Sequence, residues 1–405
     1  LRDNTAMSAD NGVAERIARF RELAGWSQHQ LAARAFVSTS LIKKVEQGRT
    51  PASPSLVSCC ARALGVDASV LYGTDPEEQI TEQHLERAGV EELRAALHAY
   101  DDPELVNPLH SAPELQRQLN AAEKLRHSFR YHELCRRMPE LLNQLYARTA
   151  FDPADTSTGE HARSMLHDAY RLVATLGGRF HQPDIGAMAS ERHVALAPRT
   201  GDPLRVALSA YHRPTHFLRH GQFARGLRVI ERGHESVRES RVPQRDSVAI
   251  QLHLRAAVLA ARAGDTERAD THISEARAAR QRYDPPVSPY YNTDSSALNI
   301  DVHWCAVPVE NYDGTGAVIR AEQVHIVDRD RPERVGHHHI DMARAWLLHG
   351  DREKVMVELN AARHISPHHT RRHPTVRETV RTLAETDRRA TDTLAGFARW
   401  AGIRL

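Results

Sequence analysis

The sequence predicts an all-α protein, and three observations carry that reading. Aromatic residues occupy only 5% of the 405 positions, Val, Ile and Thr show little period-two alternation, and Ala, Leu, Arg and Glu recur at three- and four-residue spacing. At about 150 residues per domain this length suits two or three domains. Polar and proline-containing breaks such as GTDPEEQ (73–79) divide the chain into four parts. Residues 1–12 are expected to be disordered or extraneous, since Met7 sits behind LRDNTA. Residues 13–75 form a helical head, 76–150 a connecting helical region, and 151–405 a helical-repeat body.

In the head, Val13, Ile17, Phe20 and Ala24 share one face of a first helix that Gly25 ends. Ser27 and Gln30 form Ser-x-x-Gln, a capping box, so a second helix runs from Gln28 to about Ala35. Ser38 caps a third helix reaching about Glu46, with Leu41, Ile42 and Val45 inward and Thr39, Ser40, Lys43 and Lys44 outward. Gly48 closes it, and Ser53 with Pro54 opens a fourth helix that ends at ALGV (63–66). Two short helices joined by a tight turn, the second bearing a small-polar and cationic face, make a helix-turn-helix within a five-helix head.

Charge supports the same placement. The whole chain carries only +2, which says nothing about partners, whereas residues 13–73 hold eight basic and four acidic residues, a local +4. The chain has four lysines, and two of them are adjacent at 43 and 44. Beside short Thr and Ser side chains, a lysine on a helix entering the major groove can reach guanine O6 and N7 or a phosphate. Neighbouring helical residues diverge by about 100°, so one lysine is expected to read bases and the other to anchor the backbone. A solvated lysine pair is the plain alternative.

The pattern SQxxLA at 27–32, the turn, Ser38, Ile42, VEQGR at 45–49 and a fourth helix ending ALGV resembles the XRE family of phage-repressor-type helix-turn-helix proteins. That resemblance implies that Gln28 anchors a DNA phosphate, that Thr39, Ser40 and Lys44 face base edges, and that Ser38 and Lys43 lie near the backbone. Gln47 and Arg49, past the end of the helix, complete the DNA-facing set. It also implies an internal ion pair between Arg21 and Glu46. One departure stands out: Phe36 occupies the turn where many members have glycine, so a differently shaped turn is expected.

The body shows looser self-similarity, with turn glycines at Gly178, Gly221, Gly264 and Gly350 and a further turn at NYDG (311–314), giving five helix-turn-helix units. Ala343, Trp346, Gly350, Leu359, Ala362 and Pro367 follow the small, aromatic, turn-glycine, large, small, proline order of a tetratricopeptide repeat, and Ala257, Gly264, Ala269, Ile273 and Ala276 repeat it. A non-repeat bundle is the alternative. The whole layout resembles actinobacterial regulators with a tetratricopeptide-type C-terminal region. If the register holds, Tyr211, Gln251, Asn299, His337 and Arg344 line a groove suited to an anionic or polyhydroxylated ligand.

Other chemistries find little support. The 26 histidines include His337-His338-His339, but consecutive helical residues diverge and no HExxH is present, so solvent-facing histidines and no metal or cofactor are expected. No phosphate-cradling glycine loop and no nucleophile–base spacing appears, so no enzyme is expected. Four scattered cysteines and the lack of any long apolar run point to a soluble cytoplasmic protein without a membrane partner. The expected function is a sequence-specific transcription regulator: a homodimer on duplex DNA with two half-sites, its body sensing a small-molecule or peptide effector. Two alternatives remain open, a scaffold whose repeats bind a protein and an antitoxin-like regulator.

Overall fold

The computed structural model describes residues 12–73, 79–100, 108–153, 155–180, 182–213, 217–218, 220–283, 287–288, 293–326, 332–386 and 392–403. The chain is helical almost throughout, and among the described residues the extended structure is one antiparallel pair, Val287–Ser288 with Thr293–Asp294.

The head has the five expected helices: α1 (Val13–Leu23), α2 (Gln28–Ala35), α3 (Thr39–Glu46), α4 (Pro54–Leu64) and α5 (Ala68–Tyr72). Both arms of the capping box are made, Gln30 N–H donating to Ser27 Oγ at 3.2 Å and Ser27 N–H to Gln30 Oε1 at 2.8 Å. Ser38 and Ser53 cap α3 and α4 in the same way, each hydroxyl accepting from the backbone N–H three residues on. Ile17, Leu31, Ile42, Val45, Leu56 and Leu71 fill the space between the helices.

The turn between α2 and α3 keeps the left-handed geometry that glycine would favour. Phe36 adopts φ 57°, ψ 44°, and Val37 N–H closes the helix end on the Ala32 carbonyl at 3.0 Å. The expected change of turn shape is therefore replaced by backbone strain. Its ring is 82% exposed, with the Arg62 guanidinium 5.2 Å from its centre.

Behind the head, α6 (Gln79–His98), α7 (Ala112–His127), α8 (Tyr131–Phe151), α9 (Ser157–Arg179) and α10 (Pro183–Leu196) enclose a single core built from Leu97, Leu115, Met138, Leu145, Leu172 and Ile185. The segment expected to be a connector thus shares its core with the first unit of the body. Gly178 does not turn the chain, because α9 continues through it to Arg179. Its neighbour Gly177 allows a close approach instead. A Cβ there would lie 2.4 Å from the Gly186 nitrogen, so the bare backbones let α9 and α10 touch.

Four further hairpins follow: α11 (Pro203–His212) with α12 (Phe223–Glu239), α13 (Arg245–Arg262) with α14 (Thr266–Arg282), α15 (Ala297–Glu310) with α16 (Gly314–Ala321), and α17 (Pro332–His349) with α18 (Arg352–Ile365). Gly221, Gly264 and Gly350 take positive φ before the second helix of their units, and Tyr312 does so in the NYDG turn. The small residues of the repeat pattern, Ala257, Ala269, Ala276, Ala343 and Ala362, are fully buried where paired helices meet. Three last helices, α19 (Pro367–Arg372), α20 (Pro374–Thr386) and α21 (Asp392–Ala401), close the chain on Phe397 and Leu383.

The body also buries polar groups. Arg205, 2% exposed, donates to Asp168 at 2.8 and 3.2 Å and lies 3.1 Å from His167 Nδ1. The His167 ring stacks on His193 at 3.8 Å, and Ser209 Oγ lies 3.2 to 3.3 Å from both. Burial is the first cause of the low pKa of both imidazoles; Asp168 partly opposes it at His167, and the neighbouring imidazoles with Arg171 and Arg205 add to it at His193. Both rings therefore stay neutral, which removes the cost of a buried charge.

The head does not hang free. Its core runs without a break into Leu204, Leu208, Phe223 and Leu227 of the body. Ser53 N–H donates to the Tyr312 hydroxyl at 3.0 Å, Ser55 Oγ donates to the Arg262 carbonyl at 2.9 Å, and Gly221 sits so close to Cys59 that a Cβ would meet its backbone at 3.3 Å. All four cysteines are buried.

Candidate nucleic-acid interface

The outward face of α3 is a product of how its inward face is held. Arg21 grips Glu46 through two parallel bonds, Nε to Oε1 at 2.7 Å and Nη2 to Oε2 at 2.9 Å, and donates a third bond to the Trp26 carbonyl at 2.9 Å. The hydrogen bond to Glu46 raises the already high Arg21 pKa. Gln28 completes the brace, its Nε2 donating to Glu46 Oε2 at 2.8 Å, so α1, α2 and α3 are tied at one carboxylate. Arg16 does the same between α1 and α5, donating to the carbonyls of Leu71 and Tyr72.

With its inner side pinned, α3 presents Thr39, Ser40, Lys43 and Lys44 to solvent, and Ser38, Gln47 and Arg49 are exposed at its two ends. Among the described residues no carboxylate pairs with Lys43, Lys44 or Arg49, so three cations lie uncompensated on one surface. Gln28 alone of the expected set is half-buried and already engaged. Such a face can offer point charges to phosphates and short hydroxyl and ammonium donors to base edges.

The groove expected in the body is not assembled from the residues the repeat register suggests. Gln251 and Asn299 are 4% and 0% exposed, and both amides donate to the Asp294 carbonyl, at 2.5 and 2.7 Å. They hold the short strand pair in place from within the core. Arg344, 3% exposed, lies over the Tyr312 ring at 5.4 Å, directly beneath the contact with the head. Tyr211 is half-buried under the Arg255 guanidinium, and His337 joins two other histidines.

One cavity was not readable in the sequence. A cleft of about 680 Å³ opens between head and body, walled by Phe36, Leu41 and Arg62 on one side and by Phe223, Arg228 and Tyr312 on the other. Its two walls come from segments more than 150 residues apart, and neither has a local signature.

A family model described as a helix-turn-helix domain matches residues 13–78, which covers the head and leaves the body unassigned. No curated protein sequence matches the chain. Among solved structures, the crystal structure of Bacillus thuringiensis PlcR in complex with the peptide PapR7 and DNA aligns over 87% of this chain and 93% of that one, at 9% identity and a TM-score of 0.31. So loose a superposition carries no argument about fold or function.

Proposed function

We propose that this chain is a sequence-specific DNA-binding transcription regulator of the cytoplasm that acts as a homodimer on an operator of two half-sites. The observation that carries the reading is the uncompensated, outward face of α3 on an internally braced helix-turn-helix. One such module makes few base contacts, so useful specificity calls for a second, about 34 Å away on a two-fold axis. Lys44 is the base reader and Lys43 the phosphate anchor; Thr39, Ser40, Ser38, Gln47 and Arg49 supply the remaining contacts, and Gln28 reaches a phosphate by exchanging its bond to Glu46. An XRE-type head and a tetratricopeptide-like body belong to the same proposal.

The body senses an effector, and the head–body cleft supports that half of the reading better than a groove along the repeats. An occupant there would touch both parts, and only a ligand that binds the docked and displaced arrangements unequally can shift their populations. The guanidinium groups of Arg62 and Arg228 on opposite walls favour an anionic small molecule or peptide.

The test is enrichment of duplexes from a random pool by the full chain, followed by titration of the selected site. Lys44→Ala should cut the preference for that site about tenfold, since a good base contact is worth roughly 1–3 kcal/mol. Lys43→Ala should weaken all duplexes evenly and reduce the salt slope by about one. Failure to retain any duplex at low ionic strength would sink the proposal.

A further inference from the structure

Three histidines that lie far apart in the sequence meet in the body. His337 stands near the start of α17, His369 lies within α19, and His373 lies between α19 and α20. The four-residue interval of the latter two puts them on one side of the chain. Ring centres are 5.8 Å apart for His337 and His369, 5.4 Å for His337 and His373, and 5.0 Å for His369 and His373. One ligand nitrogen from each ring falls within 4.8 Å of the other two.

The cluster is not satisfied by the protein alone. Nδ1 of His373 is buried without a hydrogen-bond partner, and a buried polar atom left so costs free energy. His337 Nε2 lies 3.7 Å from Asp341 Oδ2, beyond a direct hydrogen bond but near enough for the carboxylate to complement a cation held at the cluster. His369 is backed by the Phe129 ring, stacked at 5.1 Å, and Phe129 is itself held at φ 57°.

We infer that His337, His369 and His373 form a binding site for one divalent transition-metal ion of the zinc class, with the Asp341 carboxylate beside it. Three imidazole nitrogens and an open fourth position suit Zn²⁺, at metal–nitrogen distances of about 2.0–2.1 Å. Tetrahedral ligation would draw the nitrogens to roughly 3.3 Å of one another, a closure that side-chain rotation supplies. The bound ion would staple α17 to the start of α20, whose far end carries Glu385 to Gly48 at the close of α3. Metal occupancy would thereby steady the head. This last consequence rests on the DNA-binding reading; the site itself does not.

The experiment uses the full chain stripped with a chelator and titrated with Zn²⁺ by calorimetry and with Co²⁺ by visible absorption. One equivalent per chain, with the intense absorption bands of tetrahedral Co²⁺, is expected. His337→Gln, His369→Gln and His373→Gln should each weaken binding on the order of 100-fold, and Asp341→Asn by about 10- to 100-fold. His253→Gln, which alters the separate row of His234, His253 and His272, should change nothing. A second readout that needs no folded variant is a Zn²⁺-dependent rise in the Tm of the unaltered chain. Absence of stoichiometric binding, or binding that His253→Gln abolishes and His373→Gln spares, overturns the site. If the metal binds as described but leaves duplex affinity unchanged, only the link to the head is lost.

Discussion

Head and body are both helical, yet they are held in shape by different means. In the head nearly every helix start is written beside it: Ser27, Ser38, Ser53 and Asp67 each cap the helix that follows. The exposed face of α3 is equally local: Thr39, Ser40, Lys43 and Lys44 lie within six consecutive residues and point outward because Ile42 and Val45 point inward. The body caps helices in the same way, at Thr156, Asp202, Asp265, Ser296, Asp313 and Asp351, but adds buried polar pairings across longer intervals, such as Arg205 with Asp168 and Gln251 with Asp294. It also buries imidazoles, whereas the head has a single histidine, the exposed His29. Local rules make a region legible and long-range polar pairing makes it sensitive to conditions.

That contrast is easiest to break with acid, where the largest effect is expected. His167 and His193 have folded-state pKa values below the unfolded value near 6.5. As pH falls below about 6.5 the unfolded chain takes up protons that the folded chain refuses, so stability is full above that value and declines below it. Each group contributes up to about 1.4 kcal/mol per pH unit, or about 3 kcal/mol per unit for the pair before coupling between the stacked rings is discounted. Segment-resolved hydrogen exchange from pH 7 to 5 should show α9 to α11 opening well before α1 to α5. Simultaneous loss would mean that the two regions do not differ in this respect.

The second effect is confined to the head. Glu46→Gln leaves Arg21 and Gln28 without their shared carboxylate, and breaking a largely buried pair costs about 3 kcal/mol. Exchange protection of α1 and α3 should fall by that amount while α13 and α14 hold; a change below about 1 kcal/mol would show that the carboxylate is not the tie we describe. Ser27→Ala removes one arm of the capping box and should cost about 1 kcal/mol, read in the same experiment on α2. Smallest is Phe36→Gly. Relief of left-handed strain, about 1–2 kcal/mol, is offset by the entropy of glycine and loss of the Arg62 contact, leaving a gain of no more than about 1 kcal/mol. A clear loss would show that the ring supports the wall of the cleft.

The same contrast explains what the sequence could tell. Ser27-x-x-Gln30 and the outward set on α3 were readable because each relation spans one or two helical turns. Phe36 was recognisable as odd, but that the turn kept its shape and strained the residue required φ. Gln251 and Asn299 looked like groove residues because repeat register places polar groups on an inner face, whereas their partner, the Asp294 carbonyl, belongs to a strand pair with no periodic signal. The histidines repeat the lesson. His337, His338 and His339 do diverge, His338 being buried and His339 turning to Glu358 at 2.6 Å. The partners of His337 come from 32 and 36 residues further on, where no local rule reaches.

The surface of the head that meets the body includes Cys59, against Gly221, and Ser55, bonded to the Arg262 carbonyl, and it would be naked if the chain were cut after Gly73. Such a fragment would keep its caps and its cationic helix, but it would expose apolar side chains, Leu56 and Cys59 among them, that are buried in the intact molecule. A truncated reader of this kind should cling to itself or to vessel walls, and whatever duplex binding it displays would report adhesion as much as recognition.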